Sequence, residues 1–125
     1  AASIALQDAT IEVSDFEETK FSVANEDLVF IDPPYTVSHN ENGFIKYNKS
    51  LFSLEDQKRL ANYIKYIKSI GAHYILTNAA HSSIREIFSD CEHVIEIERN
   101  SRVGGKRAKR GMVAELLFTD LEISL

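Results

Sequence analysis

Asp32-Pro33-Pro34-Tyr35 puts a carboxylate, two stiffened peptide units and an aromatic ring in four consecutive positions. The carboxylate accepts N–H hydrogens. The prolines fix their own φ angles and push the residues before them into extended backbone. The tyrosine ring is a rigid stacking face. Together these groups form a holder for a planar, amino-bearing ring, which is the chemistry of modifying a nucleobase. Alone, the tetrapeptide reads equally as a strand end followed by a stiff turn, so its context decides. The apolar run Leu28-Val29-Phe30-Ile31 comes directly before it. This run predicts a short, buried strand of a parallel sheet, and an acid at the carboxyl end of such a strand lies where open α/β sheets bind ligands.

A second cluster lies near the end of the chain. Residues 99–111 carry Arg99, Arg102, Lys106, Arg107, Lys109 and Arg110 with no acid among them, and include the pair Gly104-Gly105. Positive charge on a glycine-rich loop suits phosphate oxygens, with backbone amides free to approach them. Such contacts position a duplex rather than read its bases. The plain alternative is a solvated loop that keeps the protein soluble.

These groups need elements to hold them. Thr10 to Val13 alternate enough to predict a strand, with Ser14-Asp15-Phe16 at its end, and the strand at Asp27 to Ile31 follows. Residues 36–50 are polar and rich in Asn and Lys, which predicts an exposed loop. Ser53-Leu54-Glu55-Asp56 resembles a capping box and starts a helix. Leu60, Ile64 and Ile67 form that helix's core-facing stripe, and Gly71 is a natural stop. His73 to Leu76 predicts a buried strand ending at Thr77-Asn78. A short helix follows, with Ser83 and Glu86 as a possible second capping box. Strands at Val94–Ile97 and Val113–Phe118 have no helix between them and are expected to pair as an antiparallel hairpin, with the basic cluster at its tip. The alternation predicts an α/β sheet.

Bulk properties narrow the class. The chain has 125 residues, 44% hydrophobic, with a formal net charge of −5, so it is one domain or part of one and not a generally cationic protein. The single Cys91 precludes an internal disulfide and fits a reducing compartment. There is no Cys/His cluster at zinc spacing and no membrane-spanning apolar run among these residues, and no signal peptide is expected.

The chain resembles the carboxyl-terminal half of the Dam-type (D12 class) DNA adenine-N6 methyltransferases. Four ordered segments carry the likeness: Asp-Pro-Pro-Tyr at 32–35, "NGFIKYNKSLFSLEDQ" at 42–57, "YILTNAAH" at 74–81 and "RNSRVGGKRAKRGMVAELLF" at 99–118. The resemblance implies a partial Rossmann-like, class I fold with a carboxyl-terminal antiparallel hairpin. It implies S-adenosylmethionine as methyl donor and double-stranded DNA with a flipped adenine as substrate. It assigns catalysis to Asp32, Pro33, Pro34 and Tyr35, with the Asp32 carboxylate and the Pro33 carbonyl accepting the two amino hydrogens and Tyr35 stacking on the base. It assigns cofactor contacts to Asp15, Phe16 and Asp32. DNA contacts fall to Tyr47, Arg102, Lys106, Arg107, Lys109 and Arg110. No metal is implied, and the setting is a bacterial, archaeal or phage-type cytoplasm, with or without a restriction system.

The departures matter as much. The family's early glycine-rich strand end and its target-recognition domain have no counterpart among these residues. The whole of 1–125 therefore reads as the carboxyl-terminal part of a catalytic domain, expected to be inactive alone and to need an amino-terminal half. The alternative is a non-catalytic DNA-binding or regulatory remnant. A cytosine-N4 target would ask for similar acceptors, but the first motif residue and the downstream similarity favour adenine. Asn78 is expected to cap the helix after it, Cys91 to be a structural thiol, and the four histidines to be satisfied or exposed.

Overall fold

A computed structural model of the chain describes residues 2–36, 51–100 and 112–124. After a short helix α1 (Ala2–Ala5) and a 3-10 helix (Phe16–Phe21), the frame is a four-stranded sheet. Its strands are β1 (Leu28–Ile31), β2 (His73–Ala79), β3 (His93–Asn100) and β4 (Met112–Thr119), in the order β1-β2-β4-β3. β1 and β2 are parallel, with Ile31 opposite Leu76. Parallel neighbours need a crossover, and helix α2 (Leu54–Ser69) lies within it. Helix α3 (Ser82–Ile87) joins β2 to β3. β4 then runs antiparallel between β2 and β3, which makes the sheet mixed and bears out the hairpin.

Helix α2 forms as its sequence dictates. The Ser53 hydroxyl accepts the Asp56 N–H at 3.1 Å, and the Asp56 carboxylate accepts the Ser53 N–H at 2.9 Å. This reciprocal box satisfies two orphan donors of the first turn. The buried stripe Leu60, Tyr63, Ile64 and Ile67 belongs to one core cluster with Tyr74 and Leu76 of β2, on which the helix packs, and with Leu116 and Phe118 of β4. At its other end Gly71 takes φ +78. A Cβ there would lie 2.1 Å from Asn25 Nδ2, so the helix stop also seats the turn that leads into β1.

A buried polar chain ties the end of β1 to the rest. The Thr36 hydroxyl donates to the Phe52 carbonyl at 2.7 Å and accepts from the Gln57 amide at 3.0 Å. The Gln57 carbonyl in turn accepts from the Asn78 amide at 2.9 Å. All three side chains are fully buried. Asn78 is therefore not the expected helix cap. That place belongs to His81, whose Nδ1 accepts the Ser83 N–H at 3.1 Å. The expected Ser83–Glu86 box is displaced because the helix begins one residue earlier, at Ser82.

Two further expectations are corrected. Thr10 to Val13 is not a strand: nothing among the described residues pairs with it, and Ile11 and Val13 are 82% and 104% exposed. Alternation without a partner ladder leaves a strand nothing to bond to. β1 is not buried on both faces. It is an edge strand whose Val29 and Ile31 face the core, while Leu28 and Phe30 are 57% and 63% exposed on an open face. Among the described residues no helix is long and apolar enough to cross a membrane.

Two substitutions test this frame by thermal or urea unfolding. Gly71→Ala must adopt a left-handed φ and displace Asn25, and is expected to cost about 1–3 kcal/mol. Gln57→Leu leaves the buried Asn78 amide without its acceptor and the Thr36 oxygen without the donor it accepts from, and is expected to cost roughly 2–4 kcal/mol; an unchanged midpoint would mean that the buried chain contributes nothing.

Candidate active site

Asp32 stands on the first residue past β1, at the carboxyl end of the parallel pair. Its Oδ1 accepts the Thr77 hydroxyl at 2.7 Å, and no partner among the described residues takes its Oδ2. Thr77 is on the neighbouring strand, one position beyond the register pair Ile31–Leu76. The parallel pairing itself therefore delivers that hydroxyl to the carboxylate. Sequence reasoning gave Thr77 only as a strand end. Its signal was its position: a hydroxyl at the carboxyl end of the strand next to an acid-terminated one.

Pro33 and Pro34 carry the backbone to Tyr35, which is half-buried. The Tyr35 hydroxyl donates to the Glu115 carboxylate of β4. The ring is thus held at both ends, by the stiff backbone behind it and by its phenol tip. Thr36 immediately afterwards enters the buried chain with Gln57. The tetrapeptide is anchored to β2, β4 and α2 within five residues, so its groups are positioned before any ligand arrives.

A cavity of about 580 Å³ opens beside this segment. Asp15, Phe16, Ile31, Asp32, Pro33 and Pro34 all line it, so two stretches far apart in sequence meet at one hollow. Asp15 is here because it caps the 3-10 helix, its Oδ1 accepting the Glu17 N–H at 3.0 Å. Phe16 packs edge-on against Tyr63 with ring centres 5.7 Å apart and lies 6.1 Å from Phe52. Tyr35 does not line this cavity.

Arg59 of α2 bridges three carboxylates, with 2.8 Å to Asp15, 2.7 Å to Glu17 and 2.9 Å to Asp56. Its guanidinium carbon lies 4.9 Å from the centre of the Phe16 ring. The Glu17 amide first, and then Arg59, hold the Asp15 carboxyl below the usual 3.8; the Ser53 amide and Arg59 do the same for Asp56. Both acids are depressed, so what the network contributes is complete above that value and is lost only as pH falls through the lowered ones.

Tyr47, Arg102, Lys106, Arg107, Lys109 and Arg110 lie outside the described residues. The roots of the basic segment are described. β4 pairs with β2 as far as Ala79–Glu115, and the β3–β4 ladder continues from there to Asn100–Met112. The hairpin thus extends past the carboxyl end of β2, the end of the sheet where Asp32 and Thr77 stand. His73 pairs with Asp120 at 2.8 Å far from this site, and burial pushes the Cys91 thiol up in pKa, which suits a structural role. No group of three or more His, Cys, Asp or Glu side chains among the described residues is placed to hold a metal ion.

Residues 1–103 match the model of the family described as D12 class N6 adenine-specific DNA methyltransferase. Over 107 residues the chain is 33% identical to the Type II methyltransferase M1.LlaDCHI of Lactococcus lactis subsp. cremoris, covering 85% of this chain and 37% of that protein. It is 31% identical over 104 residues to the DNA N-6-adenine-methyltransferase of Escherichia phage P1, covering 82% of this chain and 14% of that one. The Retron Ec67 DNA adenine methylase of Escherichia coli is likewise 31% identical over 104 residues, with 82% and 35% covered. The chain therefore spans between 14% and 37% of the length of these curated relatives. An α/β frame, an acid on the strand end beside a cavity and a family match over most of its length together place this chain in the D12 class of N6 adenine-specific DNA methyltransferases.

Proposed function

We propose that this chain is the catalytic-motif part of an enzyme that transfers a methyl group from S-adenosylmethionine to the N6 amino group of adenine in DNA. The observation that carries the reading is Asp32: a strand-end carboxylate with one oxygen held by Thr77 and the other without a partner among the described residues, at the rim of a cavity whose wall carries a second carboxylate and an aromatic ring.

The exocyclic nitrogen of adenine is a poor nucleophile because its lone pair is delocalised into the ring. Asp32 Oδ2 accepts one of its hydrogens and the Pro33 carbonyl the other, which favours a pyramidal nitrogen with a localised pair. Tyr35, fixed through Glu115, is the stacking surface for a base that has left the duplex, returning about 1–3 kcal/mol of the unstacking cost. Pro34 keeps Asp32 and Tyr35 at a fixed separation. Catalysis here is positioning and electrostatics, with no covalent intermediate on the protein. The methyl donor supplies an activated methyl group on a sulfonium centre. On this chain Asp15 would accept from its adenine amino group and Phe16 would lie against the ring, with Asp32 between the two ligands; that all three line one cavity supports this reading. The cavity's acid and aromatic wall suits that planar, amino-bearing end.

The described hairpin roots extend past the Asp32 end of the sheet, and the basic residues Arg102, Lys106, Arg107, Lys109 and Arg110, which lie between those roots in the sequence, are the proposed phosphate contacts that favour DNA as substrate; Tyr47 is a further proposed DNA contact. The exposed Leu28 and Phe30 on edge strand β1 fit a carboxyl-terminal part of a larger Rossmann-like, class I domain, whose remainder would cover that face. The methionine end of the donor would then be held by that remainder, and this chain would be inactive alone.

Transfer of label from S-adenosylmethionine to unmethylated DNA, measured on the longest reading frame containing this chain, tests the proposal. Label is expected in N6-methyladenine and is expected to fall at least 1,000-fold in Asp32→Ala, about 4 kcal/mol of transition-state stabilisation. A folded protein that binds DNA without transferring label would leave the reading of a DNA-binding remnant. Thr77→Val keeps the shape but removes the donor to Asp32. It is expected to lower kcat about tenfold with little change in KM for either substrate, and Thr77→Ser to restore it.

A further inference from the structure

Arg59 stands apart from every group used so far. It is 39% exposed, which is the usual setting of a surface arginine, yet each of its three nitrogens is committed to a different carboxylate. A guanidinium so engaged has little capacity left for a ligand's phosphate or carboxylate. What it does instead is fix its partners. Asp15 receives both of its donors, Arg59 Nη2 at 2.8 Å and the Glu17 N–H at 3.0 Å, on the same oxygen, Oδ1. Two fixed points on one oxygen define the plane of the carboxylate and leave Oδ2 without a partner among the described residues. The same guanidinium lies over Phe16 at 4.9 Å, within the range of a cation–π contact. Without it, Asp15, which lines the cavity, would stand beside two like charges, Glu17 and Asp56, with no cation between them. A lysine could not replace it, because a single ammonium lacks the planar fork that reaches three acceptors in fixed directions.

We propose that Arg59 is a positioning residue for the donor pocket: by clamping Asp15 Oδ1 and the Phe16 ring, it presents Oδ2 as a fixed acceptor and so sets selectivity for a purine that carries a 6-amino group. This rests on the reading of the cavity as the adenine end of the methyl-donor site. A rigid carboxylate rewards an amino donor and repels a 6-oxo group, and a pocket built to hydrogen-bond a group rejects the analogue that lacks it far better than a merely apolar pocket does. A carboxylate free to turn away would lose most of that discrimination.

The probes are S-adenosylhomocysteine and its 6-oxo analogue S-inosylhomocysteine, titrated calorimetrically against the longest reading frame containing this chain. Arg59→Met is expected to weaken S-adenosylhomocysteine about tenfold and to narrow its preference over the inosyl analogue by a similar factor. In turnover, the loss is expected in KM for the donor rather than in kcat. Arg59→Lys is expected to recover less than half of the preference, and it carries the test if the methionine variant does not fold. A folded variant with unchanged affinity and unchanged preference overturns the proposal. Asp15→Ala separates the two levels of the argument. If it weakens binding while Arg59→Met does not, only the role of Arg59 fails; if Asp15→Ala leaves binding unchanged, the cavity is not the adenine site.

Discussion

The buried chain from Phe52 through Thr36 and Gln57 to Asn78 is the constraint on which the site depends. It joins the residue after the Asp-Pro-Pro-Tyr segment, the first turns of α2 and the end of β2. In a low-dielectric interior each of these polar groups is costly to leave unpaired, so the three segments cannot shift independently. This turns a short edge strand, weak by itself, into a fixed platform. With Thr36 held, Tyr35 reaches Glu115, and with β2 in register, Thr77 reaches Asp32.

The two carboxylates of the cavity are built alike. Each has one oxygen occupied by the protein, Asp32 by Thr77 and Asp15 by Arg59 and the Glu17 amide, and a second oxygen without a partner among the described residues. Two preorganised acceptors at one hollow suit chemistry in which two amino-bearing rings must be brought together and held while a small group moves between them. Such a site needs rigid placement more than reactive side chains. Near the cavity, Asp15 and Asp56 are held as depressed carboxyls.

Much of the local structure was legible from the chain. Ser53 and Asp56 wrote their own capping box, Leu60, Ile64 and Ile67 their own core face, and Gly71 its own stop. The sequence between Ile97 and Val113 carries no helical pattern, which pointed to the antiparallel pairing that β3 and β4 make. What could not be read was anything dependent on a distant partner. An alternating segment at Thr10–Val13 and an apolar run at Leu28–Ile31 look alike whether or not a neighbour lies beside them, and among the described residues the first has no neighbouring strand and the second has one. Gln57 and Arg59 sit among the polar residues of α2 and resemble solvated surface, yet one is fully buried and the other binds three acids.

Residue types and short spacings alone carried the Asp-Pro-Pro-Tyr motif, the run of basic residues at 99–111, the helix and strands from Leu28 onward and the family resemblance. These are properties of residue type and short spacing, where capping, φ restriction and periodicity act within a few residues. Which groups converge depends on packing. Asp32 meets Thr77 across 45 positions and Asp15 meets Arg59 across 44. Those meetings follow from strand register and from the seating of α2 on the sheet, and both are set by packing the whole core rather than by any local run of residues.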